Sequence, residues 1–265
     1  MYAFAYHRPT SLAALKGLLV GSEESRFLAG GQTLLPTLKQ RLASPDALID
    51  LKGIGALAAI ARTAEGLEIG ALATHAAVAA SPVVRQTIPA LAALAEGIGD
   101  PQVRNRGTLG GSIANNDPAA DYPAALVALG ATVKTSERTI AAGDFFTGMF
   151  ETDLEAGEVV TSVSFPIPRR AAYAKFPNPA SRYAIVGVFV AETAQGMRVA
   201  VTGAAPYVFR LTAAEQALTR AFTSKSLAGL QVSDKGLNSD IHAGAPYRAH
   251  LVAVMAKRAV QQALA

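Results

Sequence analysis

Two pairs of adjacent glycines, Gly30-Gly31 and Gly110-Gly111, restrict the folds open to this chain more than any other sequence feature. The first pair separates the segment Arg26-Phe27-Leu28-Ala29, which reads as a strand, from a helix-forming run that begins after Thr33. Glycine lets the backbone approach a ligand closely and adopt positive φ values. A helix start adds unpaired N–H groups and the positive end of the helix dipole. This order of elements predicts a strand, a phosphate-binding loop and a helix.

The second pair lies in a segment, 106–115, that contains three glycines, two hydroxyl side chains and one amide. Neither glycine segment has the Gly-Lys-Ser/Thr ending of a P-loop or the Gly-x-Gly-x-x-Gly pattern of a Rossmann unit. Each segment alone is also compatible with a purely structural turn. Two such segments in one chain favour an extended diphosphate ligand, such as a dinucleotide, held from two sides.

The first 55 residues predict a small parallel α/β unit, because they read as strand, helix, strand, helix, strand. The apolar spacing places helices over 12–19 and 34–42, and strands over 26–29 and 47–51. Thr33 is expected to cap the second helix with its side chain.

A second segment predicts a mixture of strands and helices, with Thr74 as a helix cap. Its strands are expected at 66–71, 131–134 and 159–165, its helices at 75–80, 89–96 and 123–129, and a linker at 166–170. The remainder predicts a β-hairpin followed by helices. Its strands are expected at 183–192 and 197–202, with the turn at 194–196, and its helices at 212–222, 224–230 and 246–264.

Composition excludes several classes of protein. The chain is 51% hydrophobic and 17% charged, which excludes a disordered chain and suggests apolar surface for a protein partner. It has no cysteine, so it cannot carry disulfides, thiol nucleophiles or cysteine-ligated iron–sulfur clusters. The longest apolar run, 183–191, is too short to cross a membrane, and the N-terminus has no signal-peptide pattern. We therefore expect a cytoplasmic protein with no membrane span.

Charge and histidine patterns indicate neither nucleic-acid binding nor a metal site. The net charge is +4, and its basic excess lies dispersed after residue 173, where Arg248 and Lys257 are candidates for subunit docking. None of the four histidines has metal-ligand spacing, and no serine or acid pair fits hydrolysis. His75, at a helix start, either shapes a site or is a hydrogen-bonded neighbour of the cap. We predict no catalytic residue and no metal ligand in this chain.

Three motifs together resemble a known family. They are 29–36 (Ala-Gly-Gly-Gln-Thr-Leu-Leu-Pro), 69–75 (Ile-Gly-Ala-Leu-Ala-Thr-His) and 102–123, which includes Thr-Leu-Gly-Gly-Ser-Ile-Ala and Asp-Tyr-Pro. Asp240-Ile241-His242-Ala243 and Tyr247-Arg248 follow in the same order. The chain resembles, over nearly its whole length, the FAD-binding medium subunit of molybdenum hydroxylases of the xanthine dehydrogenase and aerobic carbon monoxide dehydrogenase type.

The resemblance implies an α+β fold with two domains. A two-lobed FAD-binding domain would span 1–172, with a small parallel α/β lobe at about 1–55 and a larger α+β lobe at 56–172. FAD would bind between the lobes. A C-terminal domain, 173–265, would contain a three-stranded antiparallel sheet and helices.

The resemblance also implies a set of cofactor-binding residues. The diphosphate loops would contribute Ala29, Gly30, Gly31, Gln32, Thr33 and Leu34 from one side, and Thr108, Gly110, Gly111, Ser112, Ala114 and Asn115 from the other. The remaining positions are Ile98, Gly99, Val103 and Gly107 beside the second loop, Asp121, Lys175 and Tyr183 at the flavin end, and Val159 and Val160 beside the adenine. Ser112 departs from the asparagine common in the family, and its shorter side chain reaches less far toward the cofactor. Whether His75 or Tyr183 touches the flavin is left open.

The implied function is electron transfer. The FAD, held without a cysteine link, would receive electrons from [2Fe–2S] clusters on a small partner subunit and deliver them to a terminal acceptor. A large partner subunit would carry the molybdenum cofactor and oxidise the substrate. Two alternatives are a free-standing FAD-dependent oxidase and an interaction subunit that has lost FAD.

Overall fold

The computed structural model describes residues 1–19 and 24–265. The N-terminal lobe is a parallel sheet of order β1-β3-β2 with two helices, as the sequence predicts. Its elements are β1 (Ala5–His7), α1 (Leu12–Leu19), β2 (Arg26–Leu28), α2 (Leu34–Lys39) and β3 (Ala47–Asp50). The predicted side-chain cap at Thr33 is wrong, because the residue has helical backbone angles (φ −94°, ψ −49°) and its hydroxyl makes no capping bond. A capping residue normally has extended angles, which aim its oxygen at the helix N–H groups.

Two short 3₁₀ turns, Leu51–Gly53 and Gly55–Ala58, lead into the second lobe, whose antiparallel sheet has the order β4-β5-β10-β6-β7. The predicted cap at Thr74 is confirmed, since its hydroxyl accepts the Ala77 N–H at 3.1 Å. The strands of this lobe are β4 (Ile60–Arg62), β5 (Leu67–Gly70), β6 (Thr132–Thr135), β7 (Thr139–Ala141), β8 (Phe146–Gly148), β9 (Glu151–Thr152) and β10 (Val160–Phe165). The helices are α3 (His75–Ala80), α4 (Pro82–Thr87), α5 (Pro89–Glu96), α6 (Pro101–Arg106), α7 (Leu109–Asn115), α8 (Tyr122–Leu129) and α9 (Ala142–Phe145).

The C-terminal region packs helices against an antiparallel sheet of order β11-β12-β13-β14. Its elements are β11 (Arg170–Pro177), β12 (Ala184–Thr193), β13 (Gly196–Thr202), β14 (Phe209–Arg210), α10 (Thr212–Arg220), the 3₁₀ turn Ser224–Leu227 and α11 (Ala245–Leu264). The sheet has one strand more than expected, because the two-residue β14 adds to the edge at β13. The predicted turn is confirmed by the pairing of Thr193 with Gly196.

Strand β11 begins at Arg170, inside the segment predicted as a linker, so only 166–169 is irregular. The two prolines in that segment explain the error, because proline indicates irregular backbone and so favours a linker over the start of a strand. The division of the chain into domains at 172/173 is a proposal.

Helix α8 is buried on every side, which fits its wholly apolar sequence. It lies between the second lobe and the C-terminal sheet. Phe189 and Ala200 of that sheet belong to the same buried core as α8. The C-terminal sheet is therefore packed firmly behind the second lobe, and this packing brings β11 close to the site described below.

Arg248 is not on an exposed basic face, which corrects the docking expectation. It is 4% exposed, and its guanidinium donates to the Ile185 carbonyl at 2.7 Å and the Gly203 carbonyl at 2.8 Å. Its other arm pairs with Asp240 at 2.6 Å. Arg248 thus ties α11 to the sheet and to the loop before the helix, and only Lys257 stays a candidate for docking.

The described residues include neither a membrane-spanning helix nor a cluster of metal ligands. No helix within 1–19 and 24–265 has the length and apolarity needed to cross a bilayer. The same residues contain no group of three or more His, Asp or Glu side chains arranged to hold a metal ion.

Candidate functional site

A groove of about 690 Å³ runs between the two lobes and reaches the edge of the C-terminal region. It collects every residue that the resemblance assigned to the cofactor except Lys175. The residues brought together are Ala29, Gly30, Gly31, Gln32, Thr33, Leu34, Ile98, Gly99, Val103, Gly107, Thr108, Gly110, Gly111, Ser112, Ala114, Asn115, Asp121, Val159, Val160 and Tyr183. Their role in binding FAD stays a prediction.

The two glycine loops touch each other at the centre of the groove. A methyl group on Gly30 would lie 1.7 Å from the Arg106 carbonyl oxygen, so only glycine allows this approach. A methyl group on Gly111 would lie 3.6 Å from the Cβ of Ala29. Residues about 80 positions apart thus lie in contact, and the two loops face the same groove. A ligand in the groove could therefore be held from two sides.

The first loop presents free backbone donors. Among residues 1–19 and 24–265, no protein group accepts a hydrogen bond from the N–H groups of residues 30–34. Gly31 has φ +75°, a conformation that glycine adopts without strain. Consecutive free N–H groups in such a turn form a concave site for an anion. This loop therefore has the properties of a phosphate-binding loop.

The second loop differs from the expectation of a backbone cradle. Its N–H groups donate to acceptors within the protein. Leu109 donates to the Ala73 carbonyl, Gly110 to the Ala71 carbonyl and Gly111 to the Thr108 hydroxyl. No hydrogen bond within the described part of the chain uses the side chains of Ser112 or Asn115. This loop offers polar side chains rather than backbone donors, because the connection between β5 and α3 and the Thr108 hydroxyl occupy its N–H groups.

His75 supports the second loop from beneath. It lines the groove, is 5% exposed and lies against Gly107, where an added Cβ would meet its Nε2 at 2.4 Å. Its Nδ1 is buried and has no partner in the described chain. Burial, with Arg104 nearby, lowers the pKa of His75 to about 4. The imidazole is therefore neutral at pH 7. Because it lines the groove and packs against Gly107, it shapes the site, which is the first of the two possibilities left open by the sequence.

This neutral histidine predicts acid sensitivity. Because the pKa is about 6.5 in the unfolded chain and about 4 in the folded chain, the unfolded state alone binds a proton between these values. The contribution of His75 to the free energy of unfolding is thus fully present above pH 6.5. About 3 kcal/mol of it is lost as the pH drops toward 4. Urea unfolding of FAD-free protein at pH 7 and pH 4.5 measures this loss. His75→Phe should lose less stability than the wild type over the same interval, and an equal loss would contradict the assignment.

One end of the groove is apolar and lies against the N-terminal lobe. Val159 packs in a buried cluster with Leu51, and Phe27 and Ala29 cover it. Glu158, 6% exposed, borders this end. Burial opposes its ionisation, but hydrogen bonds from Arg138, the Glu155 N–H and Thr135 outweigh that effect and lower its pKa. The predicted adenine position therefore has an apolar wall and, beside it, a carboxylate that is paired with Arg138.

The other end lies against the C-terminal region and exposes aromatic side chains. Tyr183 is 51% exposed and Phe150 is 57% exposed, although both border the groove. Phe150 has φ +57°, an unusual backbone conformation for an aromatic residue that tends to persist at functional sites. The buried Asn116 holds this turn, since its amide donates to the Gly148 and Glu151 carbonyls. This end can cover a flat ring.

Lys175 lies behind the groove rather than in it. Its ammonium contacts the Asp121 carboxylate at 3.0 Å and the Gly97 carbonyl at 2.8 Å. The predicted position beside the flavin is therefore indirect, because Asp121 stands between Lys175 and the groove.

Sequence reasoning missed several residues that border the groove. These are Arg26, Phe27, Thr37, Leu51, Ala71, Leu72, Asp117, Ala120, Phe150, Leu154, Glu158, Ser181 and Arg182. Asp117 is contained in the 102–123 motif and could have been found there. Ala71 and Leu72 lie in the 69–75 motif, and Ala120 lies in the 102–123 motif, so these three could also have been found there. The others lie outside the three motifs and are brought to the groove by tertiary packing.

Comparison with known proteins agrees with this geometry. The family model described as the FAD binding domain in molybdopterin dehydrogenase matches residues 2–168. The nicotine 6-hydroxylase medium subunit of Paenarthrobacter nicotinovorans is 36% identical, over 98% of this chain and 97% of its own length. The carbon monoxide dehydrogenase medium chain of Afipia carboxidovorans is 34% identical, over 99% and 97%. The chain belongs to the family of FAD-binding medium subunits of molybdenum hydroxylases.

Solved structures of this family have the same fold. A chain of the reconstituted CO dehydrogenase from Oligotropha carboxidovorans superposes with a TM-score of 0.91 at 33% identity, covering 99% of this chain and 98% of that one. A chain of quinoline 2-oxidoreductase from Pseudomonas putida 86 gives 0.89 at 31% identity, covering 99% and 97%. The expected α+β fold class of this medium subunit is thereby confirmed.

Proposed function

We propose that this medium subunit holds one FAD in the groove without a covalent bond and transfers electrons within a molybdenum hydroxylase complex. A small partner subunit with [2Fe–2S] clusters would be the donor, and a large partner subunit would carry the molybdenum cofactor. The convergence of the two glycine loops on one groove carries this proposal. The substrate would be selected by the large partner subunit, which would carry the molybdenum cofactor.

The residues of the groove fit FAD. The free N–H groups of 30–34 suit a diphosphate, and the glycine at position 30 keeps the facing loop within reach. The volume of about 690 Å³ is in the range of cofactor pockets. The chain has no cysteine that could form a thioether link to the flavin. FAD supplies, when bound, the ability to accept and release electrons.

The protein's own contribution is to position the cofactor and to set its electrostatic surroundings. The first loop would neutralise the diphosphate charge, and the apolar wall around Val159 would exclude water from the adenine. Asp121 offers a carboxylate acceptor at the aromatic end. Electron transfer itself needs no general base, which agrees with the prediction of no catalytic residue.

The relatives favour this reading over the two alternatives. Those named above match along nearly their whole length and are medium subunits or medium chains, that is, parts of larger enzymes. A free-standing oxidase would lack such a partner. Intact glycines in both loops argue against an interaction subunit that has lost FAD.

An absorption spectrum of the purified chain tests the proposal. We expect a yellow protein with flavin bands, from which acid or heat releases FAD that mass spectrometry identifies at one equivalent per chain. Co-expression with the two partner subunits should yield a complex in which substrate reduces this flavin. A colourless chain that takes up no added FAD would overturn the proposal, and turnover of a substrate by the isolated chain would favour the free-standing oxidase.

A further inference from the structure

Asp121 has a buried carboxylate that does not cap helix α8, the helix that follows it. It precedes α8, but its side chain makes no capping hydrogen bond. It is 4% exposed and borders the groove. A buried carboxylate is costly unless other groups compensate its charge and its hydrogen-bonding capacity. Its partners therefore indicate what the protein requires of it.

Both side-chain partners of Asp121 come from strand β11. The Tyr173 hydroxyl donates to Oδ1 at 2.5 Å. The Lys175 ammonium lies 3.0 Å from Oδ1 and 3.1 Å from Oδ2. Residues two apart on a strand project from the same face, so one strand aims both donors at one carboxylate. In hydrogen bonds, Oδ1 accepts from Tyr173 and Oδ2 accepts from Lys175. Lys175 is also in ion-pair contact with Oδ1, so Oδ2 has fewer contacts and can accept from a ligand in the groove.

The position of the Tyr173 hydroxyl is itself fixed. Its ring stacks on Phe189, with the centroids 6.1 Å apart. A methyl group on Gly187, opposite Lys175 on strand β12, would meet the hydroxyl at 2.1 Å. Glycine at 187 therefore provides the room that this oxygen occupies. The tyrosine is held in place from two sides with its hydroxyl directed at Asp121.

A carboxylate here selects which part of FAD it meets. The diphosphate is negative and would be repelled, so Asp121 must face a part of the ligand that carries N–H or O–H donors. Tyr183, at the aromatic end of the groove, has its pKa raised by burial, by Asp117 and by Asp121, which places Asp121 electrostatically close to that end. The flavin ring offers an N–H donor and suits the aromatic surroundings.

We propose that Tyr173 is a positioning residue that acts through Asp121, orienting its carboxylate toward the flavin ring and favouring its ionised form. This inference rests on the proposed function, because it assumes FAD in the groove. Lys175 alone would balance the charge but would contact both oxygens equally. The tyrosine distinguishes Oδ1 from Oδ2 and so sets the direction of the free oxygen.

The electrostatics around Asp121 give the direction in which its pKa shifts when the Tyr173 hydroxyl is lost. Burial raises the pKa of Asp121, while Lys175 and Tyr173 oppose that rise. Tyr122, Tyr173 and Tyr183 are the other titratable groups that Asp121 influences, and each has a raised pKa. Loss of the Tyr173 hydroxyl removes a donor to the charged form. The carboxyl group should then take up a proton at higher pH, which makes the surroundings of the flavin less negative.

The test compares two tyrosines that are buried beside the same aspartate. Tyr173→Phe removes a hydroxyl bonded to Asp121, whereas Tyr122→Phe removes a buried hydroxyl that has no partner in the described chain. Both variants are purified with FAD, and the flavin stoichiometry, absorption and reduction potential are recorded from pH 5 to pH 9. For Tyr173→Phe we expect full FAD occupancy and a midpoint of the pH dependence about one unit higher, a tenfold change in proton affinity. Tyr122→Phe should match the wild type.

A double-mutant cycle shows whether the tyrosine acts through the aspartate. In the Asp121→Asn background, Tyr173→Phe should leave the potential and its pH dependence unchanged. Gly187→Ala, which displaces the same hydroxyl without removing it, should reproduce the Tyr173→Phe shift if the latter variant folds poorly. A shift that persists in Asp121→Asn, or that Tyr122→Phe shares, would overturn the inference while FAD binding stands. A wild-type chain that binds no FAD would instead overturn the proposed function, and the inference with it.

Discussion

Replacing Gly30 with valine is expected to weaken FAD binding by at least about 100-fold. A Cβ at this position would lie 1.7 Å from the Arg106 carbonyl oxygen, so the two loops must move apart. Separation removes at least two charge-assisted hydrogen bonds to the diphosphate, each worth about 1.5–3 kcal/mol, and about 1.4 kcal/mol corresponds to tenfold in affinity. Titration of FAD-free protein with FAD, followed by flavin fluorescence, measures the effect.

Two further glycine variants separate a local effect from a general one. Gly17→Ala is the matched control, because a Cβ there has no neighbour within 4 Å, and its FAD affinity should equal that of the wild type. Gly111→Val keeps the loops together, since its Cβ would meet only the Thr108 hydroxyl at 2.9 Å and Ala29 at 3.6 Å, but it fills the groove. Far-UV circular dichroism should show all three chains folded. Wild-type affinity in both Gly30→Val and Gly111→Val would refute the site.

Replacing Arg248 with alanine is expected to lower the free energy of unfolding by about 2–5 kcal/mol, since two interior carbonyls lose their donor. The guanidinium is 4% exposed and satisfies the carbonyls of Ile185 and Gly203 as well as the Asp240 carboxylate. Its removal takes a donor from the Ile185 and Gly203 carbonyls in the interior, which costs more than the bonds themselves contribute. The Asp240 carboxylate, by contrast, is half-exposed and keeps the N–H donors of His242 and Ala243. Denaturant unfolding of the purified chain measures the change.

Arg258 provides the control for this prediction, because it lies exposed on the same helix, α11. Arg258→Ala should change the unfolding free energy by less than about 0.5 kcal/mol, the usual range for surface substitutions. If Arg248→Ala is as stable as Arg258→Ala and instead fails to assemble with the partner subunits, the sequence-based docking role would be right and the structural role wrong.

The parts of the fold that could be predicted have local signals. Thr74 followed by an alanine-rich run indicates a capped helix, and the structure has that helix and that cap. Thr33 has the same residue type before a helical run, yet it does not cap, because the loop after Gly31 gives it helical backbone angles. Strand β14 is only two residues long and forms solely because β13 offers a free edge. Such an element has no periodicity from which it could be predicted.

The candidate site divides in the same way. The resemblance predicted which residues surround the groove, because glycine loops and a buried aspartate leave recognisable motifs. It did not predict that the first loop has free N–H groups, while the connection between β5 and α3 and the Thr108 hydroxyl satisfy those of the second. Nor did it place Lys175 behind Asp121, with Tyr173 beside it. Hydrogen-bond partners more than fifty residues apart depend on how the C-terminal sheet packs, and motif spacing does not encode that.

The sequence by itself determined the chemistry available to this chain: glycines where the backbone must come close, no cysteine for clusters or thioether links, and apolar runs sufficient for a core. These are properties of residue type and near-neighbour order. Only the tertiary structure decided that Gly30 meets Arg106, that Arg248 is buried and that one strand aims two donors at Asp121. The physical reason is that each of these contacts joins segments distant in the chain, and their geometry is fixed by the packing of α8 and the two sheets around it.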